Sequence, residues 1–187
     1  MITSYFVWVS LKKIAFMNLF VSLQKIIREN WLEKSVKLQN PATIHTTLYY
    51  FWRYLSEEQI SLAKDEIDKI RSELKDDKII LKDFRYFLHW EKAIFYIAPE
   101  TDIDLQSFNR GFEELFHEES DKNKLAYIPH ITIMRIKDIS EYERFKTLFE
   151  NEVRWFLRDF WKLDYLEDVN LYCVNSDYDP EMQISIY

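Results

Sequence analysis

One four-residue pattern, a His, any residue, a Thr and an apolar residue, occurs twice in this chain of 187 residues, first at His45 and again 85 positions later at His130. Both copies stand in runs rich in β-branched side chains, which indicates strands. Because a strand sends alternate side chains to opposite faces, each His must point the same way as the Thr two positions after it. With four His and seven Thr in the chain, random placement gives about 0.15 such triplets. Two matched copies therefore predict one site built by two strands.

The two pairs, His45 with Thr47 and His130 with Thr132, supply the groups that acid/base chemistry at a phosphoester requires. A neutral imidazole accepts a proton, an imidazolium donates one, and a hydroxyl binds an anionic oxygen. A single strand His is more often a partly buried side chain satisfied by a backbone carbonyl, and a single Thr is explained by its preference for strands. The duplication at identical spacing favours a catalytic or binding site instead.

A cation follows the second copy, since Arg135 lies five positions after His130. A guanidinium there could neutralise a bound phosphate. Strict alternation, however, puts Arg135 on the face opposite His130. We therefore expect Arg135 to bind phosphate only if the strand twists or bulges between the two residues.

Aromatic residues near the two copies are candidates for stacking on a base. By alternation Tyr49 and Phe51 fall on the same face as His45, and Tyr127 precedes the second copy. Aromatic rings also dominate protein cores, and core packing is the alternative for all three.

Composition restricts the substrates that such a site would accept. The formal net charge is −7 and the pI is near 5.2, so there is no broad basic surface for long duplex nucleic acid, and small or terminal substrates fit better. A single Gly in the whole chain excludes Gly-rich phosphate loops and the dinucleotide fingerprint. Any phosphate must therefore be held by side chains, and the expected partner is a nucleotide or an RNA end.

Other residue types argue against further classes of protein. A single Cys, Cys173, excludes an intrachain disulfide and a multi-thiolate metal site, which predicts a cytoplasmic protein. No apolar run approaches about 18 residues and the start lacks a basic segment, so we expect neither a membrane span nor a signal peptide. Two His with hydroxyls do not complete a metal site, and we expect a monomer without metal or cofactor. His89 and His117 have no matching pattern and are predicted at the surface or in packing.

Hydrophobic periodicity predicts alternating strands and helices in one domain, 1–187, whose 48% hydrophobic residues can bury a substantial core. Ser56 to Gln59 and Ser140 to Glu143 have the form of capping boxes that begin helices. Each half carries one copy of the pattern, which predicts an α+β fold of two pseudo-symmetric lobes of antiparallel sheet with flanking helices around a central cleft. The predicted strands are 5–11, 41–52, 79–88, 93–97, 126–136, 169–174 and 182–187, and the predicted helices are 16–31, 56–74, 105–117 and 140–162, with a polar loop at 118–124.

Residues 41–48 and 127–135, which hold the two copies, resemble the signature segments of the two-histidine (2H) phosphoesterase superfamily. The likeness includes Pro129 before the second His and Arg135 after it, and the helix that follows the first segment. The branch that the chain resembles most is the 2'-5' RNA ligase or RNA 2',3'-cyclic phosphodiesterase group. The resemblance implies the two-lobed α+β fold of that superfamily, with both His on central strands.

The resemblance also implies an activity, which is metal-independent hydrolysis of a 2',3'-cyclic phosphate on an RNA end or nucleotide to a 2'-phosphate, a reaction of RNA processing. It implies His130 as the general base, His45 as the general acid, and Thr47, Thr132 and Arg135 as phosphate-binding residues. The symmetry of the two copies leaves the reverse assignment of base and acid equally open. The resemblance further implies RNA ligation as a reverse activity of the same enzyme. The alternatives are hydrolysis of 2'-5' linked oligonucleotides or of another nucleotide-derived ester, and a non-catalytic nucleotide-binding module.

Overall fold

Helices and strands alternate along the chain in the computed structural model, which describes residues 2–51, 54–75, 78–89, 92–116, 127–160, 162–164, 166–175 and 184–185. Within these ranges the helices are α1 Lys13–Glu29, α2 Glu57–Leu74, α3 Leu105–Leu115 and α4 Ile139–Asp159, with a 3-10 turn at Pro41–Thr43. The strands are β1 Ile2–Leu11, β2 Val36–Leu38, β3 His45–Phe51, β4 Lys78–His89, β5 Lys92–Glu100, β6 Ile131–Ile136, β7 Lys162–Asp164, β8 Leu166–Asn175 and β9 Ile184–Ser185.

The strands form one antiparallel sheet in the order β7-β4-β5-β6-β3-β1-β8-β9, and β2 also pairs with β6. The strand β3 begins with the first pattern His, and β6 begins directly after the second. These two strands are neighbours at the middle of the sheet. The fold therefore brings together two segments that lie 85 residues apart in the sequence.

The helices cover one face of this sheet and bury two cores. α1 and α4 pack over β4, β5 and β6, whereas α2 and α3 pack over β1, β3 and β8. Each half thus has its own helices, strands and core, which confirms the predicted two-lobed α+β fold. None of the helices in the described ranges is long and apolar enough to cross a membrane.

Helix starts follow local side-chain chemistry, and one of the two predicted capping boxes is present. The Ser56 hydroxyl accepts the N–H of Gln59 at 3.3 Å, and the Gln59 side chain accepts the N–H of Ser56 at 3.0 Å. The capping box predicted at Ser140 is wrong, because the Asp138 carboxylate accepts the N–H of Ser140 at 2.8 Å and α4 already begins at Ile139. A carboxylate two residues earlier occupies the capping position that the hydroxyl was expected to fill.

Several predicted boundaries differ from the structure. Residues 41–43 are a 3-10 turn rather than strand, because Pro41 cannot donate to a ladder and the Asn40 side chain accepts the N–H of Ala42 at 2.9 Å. The predicted strand 126–136 begins only at Ile131, and the short strands β2 and β7 were not predicted. The predicted loop 118–124, His117 and the side chain of His89 lie outside the described residues.

The end of α1 has an unusual residue in its closing turn. The N–H of Leu32 donates to the carbonyl of Ile27 at 2.9 Å and the N–H of Trp31 to that of Arg28 at 3.3 Å, which is a Schellman turn. Trp31 itself has φ 59, a left-handed conformation that usually requires Gly and costs a bulky side chain about 1 kcal/mol. Trp31 is 88% exposed, so packing does not explain its presence there.

Candidate active site

The face of β1, β3 and β8 that points away from the helices carries rows of side chains set by the strand register. Residues paired across antiparallel strands share a face. We call this surface, with its continuation on β5 and β6, the cleft face. Its rows on β8, β1 and β3 are Asp168–Ser10–His45, Asn170–Trp8–Thr47 and Tyr172–Phe6–Tyr50.

The two pattern segments meet at the centre of the sheet with local two-fold symmetry. β3 and β6 are antiparallel and pair at Thr46 and Ile131, the variable residue of each copy. Antiparallel register around that pair sets each His across from the Thr of the other copy. Each imidazole therefore has a hydroxyl of the opposite strand as its neighbour.

Leu48, the apolar residue that ends the first copy, is the extra residue of a β-bulge in β3. The register between β3 and β1 shifts by one residue at this point, and such a shift reverses the alternation of side chains beyond it. Tyr49 and Phe51 consequently lie in the core of α2 and α3 and are 4% and 0% exposed. The prediction that they share the face of His45 is wrong, and Tyr50 lies on that face instead.

The apolar residue that ends the second copy, Ile133, is the matching bulge in β6, where the register with β5 shifts by one residue. Its carbonyl accepts the N–H of Gln39 at 2.8 Å. Beyond it, Met134 is buried in the core, and Arg135 turns to the same face as Thr132. Arg135 was expected to reach the site only if the strand bulged between His130 and Arg135, and that bulge is present.

A buried glutamine holds Arg135 in place. The Nη1 of Arg135 donates to the Oε1 of Gln39 at 2.8 Å, and the Nε2 of Gln39 donates to the Oγ1 of Thr43 at 3.2 Å. Gln39 is only 5% exposed, so its amide has few alternative partners. This chain of hydrogen bonds connects the cation that follows the second copy with the turn that precedes the first.

Both imidazoles are fixed in the same tautomer by the backbone that precedes them. The Nδ1 of His45 lies 2.7 Å from the carbonyl oxygen of Thr43, and the Nδ1 of His130 lies 2.8 Å from that of Ile128. A carbonyl only accepts, so Nδ1 carries the hydrogen in each ring and Nε2 is left to take or give a proton. Each His therefore presents the same reactive atom.

Burial lowers the pKa of both imidazoles. For His45 burial lowers the pKa from 6.5 to about 3, the Thr43 carbonyl opposes the shift, and the charges of His130 and Arg135 add to it. The Trp8 ring covers His45, with the ring centres 3.8 Å apart. For His130 burial again lowers the pKa, the Ile128 carbonyl opposes the shift and Arg135 adds to it.

Known proteins share this arrangement of strands and helices. A family profile described as the AKAP7 2'5' RNA ligase-like domain matches residues 3–174. The chain belongs to the AKAP7 2'5' RNA ligase-like domain family. The family lies in the two-histidine phosphoesterase superfamily that the motifs resemble, and this membership supports a hydrolase acting on phosphodiester bonds.

Solved structures share the fold of this 2'5' RNA ligase-like domain at low sequence identity. Escherichia coli LigT complexed with 3'-AMP has a TM-score of 0.57 at 11% identity, with 99% of this chain and 94% of that chain covered. LigT complexed with NADP+ has a TM-score of 0.56, with the same identity and coverage. TT0787 of Thermus thermophilus has a TM-score of 0.60 at 17% identity, covering 97% and 93%. A search of curated protein sequences found no match.

The remaining predicted site residues of this ligase-like domain, Thr47, Thr132 and Tyr127, lie close to the two His or to the strand of the first copy. Thr47 is half-buried and Thr132 is 8% exposed, each beside a catalytic candidate. The hydroxyl of Tyr127 donates to the carbonyl of Thr47 at 2.8 Å, and burial raises its pKa. Tyr127 thus joins the segment before the second copy to the strand of the first, while its proposed stacking on a base stays a prediction.

Sequence reasoning did not find four residues of the site. Gln39 orients Arg135, Trp8 covers His45, and the rings of Phe87 and Tyr96 flank His130 at 5.2 and 5.7 Å between ring centres. Only the strand register brings these side chains to the cleft face, and no pattern in the sequence indicates it. In the described part of the chain, no group of three His, Cys, Asp or Glu side chains is placed to hold a metal ion.

Proposed function

We propose that the chain is a metal-independent phosphodiesterase that hydrolyses 2',3'-cyclic phosphate on an RNA end or nucleotide to a 2'-phosphate. The observation that carries the proposal is the symmetric pair of Nε2 atoms on one face, with a Thr hydroxyl from the opposite strand beside each ring. In-line displacement at phosphorus needs a base on one side and an acid on the other. Arg135 supplies the positive charge that the developing phosphorane requires.

The pKa directions favour one assignment of base and acid. His45 is neutral at any pH well above 3, so it has no Nε2 proton to donate, and the role left to its Nε2 is to accept a proton from water. The resulting hydroxide attacks phosphorus, the bond to the ribose 3'-oxygen breaks, and His130 Nε2–H protonates that oxygen. The assignment reverses the one implied by the resemblance, and it follows from the stronger desolvation of the ring beneath Trp8.

Turnover in the presence of a chelator tests the proposed activity. We expect the purified protein to convert 2',3'-cyclic AMP to 2'-AMP at the same rate with and without excess EDTA, because imidazoles, hydroxyls and a guanidinium carry the steps. Phosphorus NMR identifies the product. Loss of activity in EDTA that is restored by a divalent ion would contradict the metal-free mechanism. Cleavage of 2'-5' linked dinucleotides in preference to the cyclic substrate would support the alternative phosphodiesterase. Binding of nucleotides without any turnover would support a nucleotide-binding module.

The pH dependence of kcat/KM should be displaced toward acid. The base form of His45 is present above about 3, and the acid form of His130 is lost as the pH rises through a pKa that burial holds below 6.5. Since kcat/KM reports the free enzyme, we expect a maximum below pH 6.5 and a steady decline above it. The kcat profile should lie at higher pH, because a bound phosphate raises both pKa values. A kcat/KM that increases between about pH 6 and 8 would be incompatible with these roles.

A further inference from the structure

A groove of about 890 Å³ leads away from Arg135, between α1 and the segment 37–41. Its α1 wall is a continuous stripe of residues three or four positions apart, from Met17 to Glu29. That stripe is about 18 Å long at 1.5 Å per residue. Arg135 lines this groove and also stands on the cleft face, so the groove and the proposed phosphate site share this residue. The groove is longer than one nucleotide needs.

The groove is positively charged although the chain as a whole is acidic. Lys25, Arg28, Lys37 and Arg135 line it, against the single carboxylate of Glu29, in a chain of net charge −7. Glu29 lies 3.8 Å from Lys25. Among the residues that the structure describes, neither Arg28 nor Lys37 has a carboxylate partner, and both are exposed. Cations that are unpaired and concentrated in a groove indicate an anionic ligand with several charges.

Exposed apolar side chains accompany these cations. Val21, which lines the groove, is 63% exposed. Trp31, two residues beyond Glu29, is 88% exposed and has the left-handed φ of 59. An exposed indole offers a flat face on which a base of any sequence can stack. A surface on which cations alternate with apolar side chains is complementary to a nucleic acid strand, in which phosphates alternate with bases.

We propose that this groove binds the body of a single-stranded oligonucleotide whose 3' end lies between the two His. Arg28 and Lys37 bind backbone phosphates, and Trp31 stacks on a base at the far end. At about 3.4 Å per stacked nucleotide, the stripe from Met17 to Glu29 accommodates up to about five nucleotides. The inference rests on the proposed function, and it assigns oligonucleotide ends rather than free cyclic nucleotides as the substrate class.

The test compares two substrates with the same terminal nucleotide. These are 2',3'-cyclic AMP and a six-nucleotide RNA that ends in adenosine 2',3'-cyclic phosphate. For the wild type we expect a higher kcat/KM on the RNA, and we expect the ratio of the two kcat/KM values to fall about tenfold in Arg28→Gln/Lys37→Gln. The salt dependence of RNA turnover should weaken by about 0.7 in log–log slope for each phosphate that the variant no longer neutralises. The control, Arg154→Gln, removes an exposed helical arginine outside the groove and should leave the ratio unchanged.

Binding measurements separate failure of the groove from failure of the proposed activity. Fluorescence anisotropy with a labelled six-nucleotide RNA bearing a 3'-phosphate needs no turnover. Weaker binding by the double variant and by Trp31→Gly, with the Tm of Trp31→Gly unchanged or raised, supports the groove even if no substrate is hydrolysed. If both substrates are hydrolysed and the ratio of their kcat/KM values is the same in the wild type and the double variant, the proposed groove is overturned. Displacement of the RNA by an acidic peptide as readily as by unlabelled RNA also overturns it, in favour of a protein ligand.

Discussion

His45→Ala and His130→Ala should each reduce kcat/KM on a 2',3'-cyclic nucleotide by about 10²- to 10⁴-fold, the range that general acid/base catalysis supplies. Each substitution removes the Nε2 that the backbone carbonyl at Nδ1 leaves available. Steady-state kinetics measures the loss, and circular dichroism checks that the fold is retained. Activity close to that of the wild type in either variant would remove that residue from the mechanism.

The two variants should differ in the pH limb that disappears. Loss of the base should remove the acidic limb of kcat/KM in His45→Ala, and loss of the acid should remove the alkaline limb in His130→Ala. The reverse result would restore the assignment that the resemblance implies. Because the two groups act on one phosphate, the apparent pKa values of the wild type belong to the pair.

The matched control for these variants lies inside the first copy. Thr46 is fully buried, and its Oγ1 has no hydrogen-bond partner within the described residues. Thr46→Val replaces an unsatisfied buried hydroxyl by a methyl group of similar size, so activity should be retained and the free energy of unfolding should increase by about 1 kcal/mol. Catalytic loss in this variant would indicate that any change in the segment disturbs the site.

Arg135→Met is expected to have the second-largest effect, a reduction in kcat/KM of about 10²- to 10³-fold, because it removes a charged donor from the phosphate site. The Arg135 charge lowers the pKa of both His. The same substitution should therefore move the alkaline limb of kcat/KM to higher pH, which a purely structural role would not do.

Variants around Arg135 refine that test. Arg135→Lys should recover part of the activity, since the charge is kept but the bond from Nη1 to Gln39 is changed. Gln39→Leu should have a smaller effect in the same direction, because it frees the guanidinium without removing it. If Arg135→Met has the same kcat/KM and the same pH profile as the wild type, the cation lies outside the catalytic machinery.

Local patterns predicted the elements whose causes are local. The capping box at Ser56 and the apolar stripe behind it predicted α2, because both depend on residues within a few positions of one another. The N-cap of α4 was misplaced by two residues, since two capping groups compete there and Asp138 is used instead of Ser140. The short strands β2 and β7 were missed because three residues form a strand only when a longer strand offers a partner.

The residues of the site also separate into those predicted from local patterns and those that only the strand pairing places. The two copies of the pattern, on strands in corresponding halves, predicted that His45 and His130 lie together, and this required only the period of a strand. Where Tyr49, Phe51 and Arg135 point depends on the bulges at Leu48 and Ile133. A bulge is a mismatch between neighbouring strands, so it is not encoded in the alternation of one strand alone.

The sequence by itself determined the superfamily and the two-lobed architecture, because residue types and hydrophobic periods are properties of single segments. Only the tertiary structure decided which side chains complete the site. The pairing of β2 with β6 brings Gln39 to Arg135, and the pairing of β1 with β3 places Trp8 over His45. The tertiary structure also decided the ionisation of the two imidazoles, because the pKa of a group depends on its burial and neighbouring charges, which exist only once separate segments have packed together.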